Sequence, residues 1–186
     1  MSDSPFAEAL AGALVLPTER FELRPLSTDH LPGFFAELSD PEVVRLTNIE
    51  PLDAPDQAAA IIDRITAARA EGRGVRWVIQ DRASGAYVGT CGFNSLVWTY
   101  ASRGEIGYDV VRDWWGRRVM DEALPAMLGF GFGVLGLRRI EALVMPENLR
   151  SWALLERHGF EREGLMRDYG LWRDDFQDLY LYAKLG

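Results

Sequence analysis

Apolar positions along the chain change period several times, and each change marks an element. In residues 19–26 Phe21 and Leu23 alternate with charged residues, the period-two pattern of a strand. The cluster Ser27, Thr28 and Asp29 then supplies capping side chains for a helix through Leu38, which stops before Asp40-Pro41. In residues 56–70 Ile61, Ile62 and Ile65 share one face of a second helix, closed by Gly72 and Gly74. Strands at 75–81 and 86–95 flank Ala83-Ser84-Gly85 and read as a hairpin. A third strand, 103–111, follows a loop holding Trp98 and Tyr100. The next helix spans 116–132 with Pro125 inside it. An unbroken helix would bear about 3 kcal/mol for that proline, so the pattern allows a kink or a later start. Residues 138–144 read as a strand, 148–158 as a short helix, and 160–166 and 176–185 as two closing strands. Residues 1–17 read as a leader that packs or frays, ending at Pro17, ahead of a single domain over 18–186. Antiparallel hairpins followed by one strand–helix–strand crossover define an α+β domain, with a mixed, mostly antiparallel central sheet flanked by helices.

Composition narrows the chemistry. The 186 residues suit one domain with a full-sized core. A single cysteine, Cys91, excludes a disulfide framework and any multi-cysteine metal site within the chain. Two histidines, His30 and His158, exclude a three-imidazole site. The one lysine is Lys184, against 19 arginines, which argues against a Walker or Schiff-base lysine. A net charge of -8 argues against a nucleic-acid partner, whose phosphates demand a basic face. No run of about 18 apolar residues is present to span a membrane. The apolar stretch 6–16 is no secretory signal, because Asp3 and Glu8 precede or interrupt it and the first cation is Arg20. The expectation is a cytoplasmic protein, monomeric or homodimeric, with no metal.

One apparent motif is dismissed by its context. Residues 131–136, GFGVLG, match the dinucleotide-loop pattern, but the helix precedes these glycines and the strand follows them, the reverse of what a pyrophosphate site needs. They read as a glycine-rich helix end.

The informative stretch is 105–123, EIGYDVVRDWWGRRVMDEA: a strand, a tight Trp-Trp-Gly turn and a helix start. Arg117 and Arg118 sit where positive charge opposes the helix dipole. An anion held by the helix N–H groups and guanidiniums would explain them. Two solvated arginines in an arginine-rich chain would equally account for them.

Together with ERFELRP at 19–25, GTCGF at 89–93, RRIEALVMPENLRSWALLERHGF at 138–160, EGLMR at 163–167 and Asp178, that stretch resembles the GNAT superfamily of acyl-coenzyme A-dependent N-acyltransferases, in its Rim-type (ribosomal-protein N-terminal acetyltransferase-like) branch. The resemblance runs from Glu19 to Leu185. It implies a GNAT-like fold whose sheet splays into a V between strands 105–111 and 138–144. The pantetheine arm of acetyl-CoA would lie in that V against the backbone of Val110 and Val111. Its pyrophosphate would rest on Trp115, Gly116, Arg117, Arg118, Val119 and Met120. This chain departs from the family pattern at two places: Arg118 stands where a second glycine is usual, and Met120 where a small residue is common. Arg118 would either reach a phosphate or fill the space one needs.

The implied reaction moves an acetyl group from acetyl-CoA to a primary amine, on a protein N-terminus or a small molecule, by direct attack in a ternary complex. The alternative is a non-catalytic or weakly active acyl-CoA-binding domain with a degenerate pyrophosphate loop. Glu105 is the candidate base, acting directly or through water, against a structural carboxylate paired to an arginine. The Val110 N–H is placed to polarise the carbonyl. Asn148 and Ser151 are good helix caps. The resemblance makes Asn148 a coenzyme A contact, and Ser151 both a cofactor contact and the donor of a proton to the departing sulfur. Trp152 stands near where many members use a tyrosine. Cys91 reads as a core residue, His158 as structural at a helix end, and His30 as a surface residue. Trp98 and Tyr100 are the candidate acceptor contacts.

Overall fold

A computed structural model describes residues 4–12, 14–99 and 101–186. The strands are β1 (Leu16–Pro17), β2 (Phe21–Pro25), β3 (Val75–Asp81), β4 (Tyr87–Val97), β5 (Arg103–Val110), β6 (Arg139–Val144), β7 (Glu161–Trp172) and β8 (Asp175–Leu185). They form one sheet in the order β1-β2-β3-β4-β5-β6-β8-β7. Every neighbouring pair is antiparallel except β5 and β6, which run parallel. A parallel pair needs a crossover, and α5 (Val119–Gly129) supplies it. The remaining helices are α1 (Phe6–Ala11), α2 (Leu31–Ser39), α3 (Pro41–Val44), α4 (Pro55–Ala70) and α6 (Leu149–Arg157). This is the mixed α+β architecture expected from the sequence.

Alternation in the strands divides the interior into two cores. On β3, Val75, Trp77 and Ile79 enter a large core with α1, α5 and α6, while Val78 faces a smaller one built by α2, α3 and α4. Phe34 and Leu38 of α2 and Ala58 and Ile62 of α4 fill the smaller core. The described part of the expected leader packs: Phe6, Leu10 and Leu14 are buried in the large core, and the Trp77 indole donates to the Leu14 carbonyl at 2.7 Å.

Three boundaries differ from the sequence reading for identifiable reasons. The short α3 follows α2 because Asp40 ends one helix and caps the next, accepting from the Glu42 N–H at 3.0 Å. The crossover helix begins at Val119 rather than 116, because Gly116 and Arg118 take left-handed backbone conformations that a helix cannot include. It then runs through Pro125 and ends in a π-helical turn, Phe130–Val134. Gly131 and Gly133 of GFGVLG belong to this turn, and Gly136 follows it with φ +63°. A Cβ on Gly131 would lie 2.6 Å from Phe93 and 2.9 Å from Ile140, so the glycine lets the helix end press against the sheet. Finally, β7 extends to Trp172, well beyond the expected 166. It is an edge strand with almost every side chain exposed, so no apolar alternation marks it in sequence.

Candidate active site

β5 and β6 are paired only from Arg103–Ile106 against Arg139–Ala142. Beyond Ile106, β5 continues to Val110 alongside β4, while β6 continues to Val144 alongside β8. The two halves of the sheet therefore part, and a cleft of about 1300 Å³ opens there. Backbone geometry aims one donor into it. The Val111 N–H bonds the Val88 carbonyl at 3.0 Å, which makes Gly89–Val110 the outward-facing kind of antiparallel pair and turns the Val110 N–H toward the gap. The Val110 N–H thus faces the gap. That of Val111 does not: it is already bonded within the sheet, because successive amides on a strand point to opposite sides. The Val110 carbonyl accepts from the Trp115 indole at 2.6 Å.

On one side of the gap, Trp115, Gly116, Arg118, Val119 and Met120 line the cleft. Gly116 has φ +75° and nothing within 4 Å of where a side chain would begin, so the turn is open there. Arg118 has φ 55° and ψ 36°, the left-handed conformation that glycine adopts without cost. The chain thus keeps the backbone shape a glycine would give, with an exposed arginine side chain in its place. Arg20 braces this turn from behind: its guanidinium donates to the Arg117 carbonyl at 3.2 Å and the Arg118 carbonyl at 3.3 Å, and it pairs with Glu122 in the first turn of α5. Arg117 lies over the Trp114 ring at 5.0 Å and is not among the residues lining the cleft. Met120 is only 7 % exposed, so its bulk is absorbed by the large core. Arg150 stacks over Trp115 at 5.2 Å. Arg118 also lines this rim, while Arg157 there is paired with Asp121 at 3.1 Å.

Asn148 and Ser151 open α6 at the same mouth. Asn148 caps the helix, its Oδ1 accepting from the Ser151 N–H at 3.2 Å, so the capping role is present at a residue that also lines the cleft. The Ser151 Oγ lies 2.7 Å from the Tyr108 hydroxyl. Tyr108 is on β5, and burial pushes its phenol pKa well up, against a smaller opposing effect from the Ser151 hydrogen bond.

The opposite face of β5 carries Glu105 and Asp109. Burial holds the Glu105 carboxyl above its ordinary value, with Glu141 raising it further and the Asn94 hydrogen bond and Arg103 opposing. Asp109 is raised too, chiefly by burial and in spite of Arg76, whose guanidinium reaches it at 2.6 Å. Arg76 also donates to the Thr90 hydroxyl at 2.9 Å, and Thr90 donates to Glu37 of α2 at 2.8 Å. Tyr87 donates to the other Glu37 oxygen at 2.7 Å. Glu37 is fully buried, and desolvation, with Asp109 adding, pushes its pKa up to about 8. This polar chain couples the helix layer to the floor of the cleft.

Sequence reasoning missed Tyr108, Arg20 and the Glu37–Arg76–Asp109 chain. Tyr108 was findable: two residues after Ile106 on a strand, it shares the core-facing side, and a buried hydroxyl there requires a partner. The Glu37 chain leaves no comparable trace, because it joins four separated segments. Trp98 is not brought to the cleft. It lies past the Val97–Arg103 pair, at the far end of β5 from Val110, edge-on to Phe6 with ring centroids 6.1 Å apart. Tyr100 lies outside the described residues. Cys91 is buried in the large core and its thiol is pushed up to about 12 by desolvation, which keeps it a thiol. His158 sits at the α6 C-terminus, 3.6 Å from Asp121. Among the described residues no group of three or more His, Cys, Asp or Glu is arranged to hold a metal ion, and no helix is long and apolar enough to cross a membrane.

Comparison with known proteins places this geometry. Residues 20–161 match the acetyltransferase (GNAT) domain family. The chain is 38 % identical over 170 residues to the uncharacterized N-acetyltransferase p20 of Bacillus licheniformis, covering 91 % of this chain and 95 % of that protein. It is 37 % identical over 91 residues, 47 % of each chain, to the ribosomal protein uS5-alanine N-acetyltransferase of Escherichia coli. Its fold matches that of Mycobacterium smegmatis RimJ in complex with CoA-disulfide with a TM-score of 0.81 and 26 % identity, covering 92 % of this chain and 87 % of that one. Sequence and fold agree: the chain belongs to the GNAT acetyltransferases.

Proposed function

We propose that Glu105 and Ser151 flank the point at which this N-acetyltransferase passes an acetyl group from acetyl-CoA to a primary amine by direct attack in a ternary complex. The observation that carries the reading is their placement where β5 and β6 part: a carboxylate of raised pKa on one face of β5, and a hydroxyl held against the other. The open turn at Gly116, the Val110 N–H and the arginines of the rim suit a polyanionic donor. When bound, acetyl-CoA supplies the acetyl thioester.

An α-amine has a pKa of about 8, so a base of modestly raised pKa suffices to take its proton, directly or through one water. Glu105 holds that position. The Val110 N–H faces the site where negative charge develops on the carbonyl oxygen. Ser151 gives its proton to the departing sulfur and recovers one through cleft water from Glu105. One proton thus passes from nitrogen to sulfur overall and the protein is returned unchanged. Asn148 contacts the cofactor beside Ser151. The acceptor, a protein N-terminus or a small-molecule amine, enters on the Glu105 side, where half-exposed Val43, Leu46 and Ile49 form a wall. The setting is the cytoplasm.

Release of free thiol from acetyl-CoA, measured over a panel of N-terminal peptides and small amines, tests this alongside calorimetric binding of coenzyme A. Turnover with some amine is expected. Tight binding with no turnover on any amine would return the non-catalytic alternative, and absence of binding would overturn both.

A further inference from the structure

The Tyr108 hydroxyl has two acceptors within reach, and both belong to Ser151: Oγ at 2.7 Å and the backbone carbonyl at 3.5 Å. Tyr108 is half-buried, and a phenol so placed favours a hydrogen-bond partner within the protein. The shorter contact is a full hydrogen bond and the longer one lies at the outer limit of such bonds. The contact admits either direction, and the one that leaves the serine proton free for the cleft has Tyr108 as donor and Ser151 Oγ as acceptor. A serine oxygen that accepts this bond cannot also give its own proton back to Tyr108. Its hydroxyl hydrogen must rotate elsewhere, and the open direction is the cleft that both residues line. Placement reinforces this. Tyr108 is fixed on β5 between paired neighbours, and Ser151 sits in the first turn of α6, its backbone held by the Asn148 cap.

We infer that Tyr108 is a positioning residue for proton delivery: it sets the rotor of Ser151 so that the serine proton points at the sulfur leaving the acetyl carbon. This rests on the reading of Ser151 as the proton donor. In the step, the C–S bond breaks, its electron pair goes to sulfur, and sulfur takes the Ser151 proton. Tyr108 keeps its own throughout, as its raised pKa favours. Donation from Tyr108 also stabilises negative charge gathering on Ser151 Oγ as its proton moves, the sense in which neighbouring hydrogen bonds polarise one another.

The test is Tyr108→Phe, which keeps the ring and removes one oxygen. The expected result is a kcat about tenfold lower, with the KM and the calorimetric Kd for acetyl-CoA unchanged. In a Ser151→Ala background the same substitution should cost nothing more. In protein labelled with ¹³C-serine, the Ser151 Cβ resonance should shift on Tyr108→Phe while the other serines stay in place. A full kcat in Tyr108→Phe, or an equal further loss in the Ser151→Ala background, would overturn the inference. If Ser151→Ala itself retains full activity, the proton-donor reading fails, and the inference falls with it. A slow Ser151→Ala beside an unaffected Tyr108→Phe removes the inference alone. Should Tyr108→Phe fold poorly, a ring-fluorinated tyrosine at 108 keeps the shape and strengthens the donor. It should raise kcat, and a fall would count against the role.

Discussion

The two faces of β5 solve different problems with adjacent residues of one strand. On the face toward α2 and α4, Glu105 and Asp109 sit among Arg76, Asn94 and the buried Glu37, so every group there is ionisable or bonded to one that is. On the other face, Tyr108 meets Ser151, two neutral hydroxyls backed by the large core. One face carries carboxyls whose protons burial holds to higher pH than usual, and the other a pair of hydroxyls in direct contact. The period of two in a strand is what permits this: side chains three residues apart point into different environments although their Cα atoms lie about 10 Å apart.

The contrast is broken most severely at Glu105. Glu105→Gln should lower kcat/KM about 300-fold, within the range for loss of a general base. Because its pKa is raised, the wild-type rate should fall with acid through a value above that of an ordinary glutamate. The variant should lose that limb of the pH profile, which steady-state rates between pH 5 and 9 would reveal. Ser151→Ala should cost about 100-fold in kcat. It should leave the position of the acid limb where it was, since nothing on its face titrates there. A displaced limb would mean that the two faces are not independent.

A smaller effect sharpens the comparison through stability. Folded Glu37 keeps its proton up to about pH 8, whereas an unfolded glutamate loses it near 4.5. Between those values the folded state binds more protons, so stability is fully present below 4.5 and declines as pH rises through 8. Denaturant titrations should show a loss on the order of 2 kcal/mol between pH 6 and 8, and Glu37→Gln should flatten it. Smallest is Arg118→Gly. Removing a left-handed arginine should raise stability by about 1 kcal/mol in a thermal melt, with coenzyme A binding retained.

Regular elements with one buried face were legible in the sequence, and the site was legible where it coincided with them. The alternation of Phe21 and Leu23, the isoleucines of α4 and the β3–β4 hairpin all announce themselves because burial selects one face. Glu105, Gly116, Asn148 and Ser151 lie on or beside such elements, and the structure gathers them at one mouth. Trp98 failed as an acceptor contact for a reason that sequence proximity hides: adjacent ends of a hairpin are close in sequence yet lie a whole strand away from its other end. The bracing of the pyrophosphate turn by Arg20 is a contact across nearly a hundred residues, and no local pattern encodes it. The length of β7 was invisible because an exposed edge strand has no side to bury.

The short seam between β5 and β6 also bears on how the chain reaches its fold. On each side of it the strands pair antiparallel with their neighbours, and most of those neighbours adjoin in sequence. The hairpins among them, β3–β4, β4–β5 and β7–β8, close small loops and form early. The four-residue parallel seam instead joins residues separated by the whole crossover helix, clipped by the Arg103–Glu141–Arg139–Glu163 ion-pair chain. Its four residue pairs make it a short join between the two halves of the sheet, and the amides of Arg139–Ala142 should report its opening in hydrogen exchange.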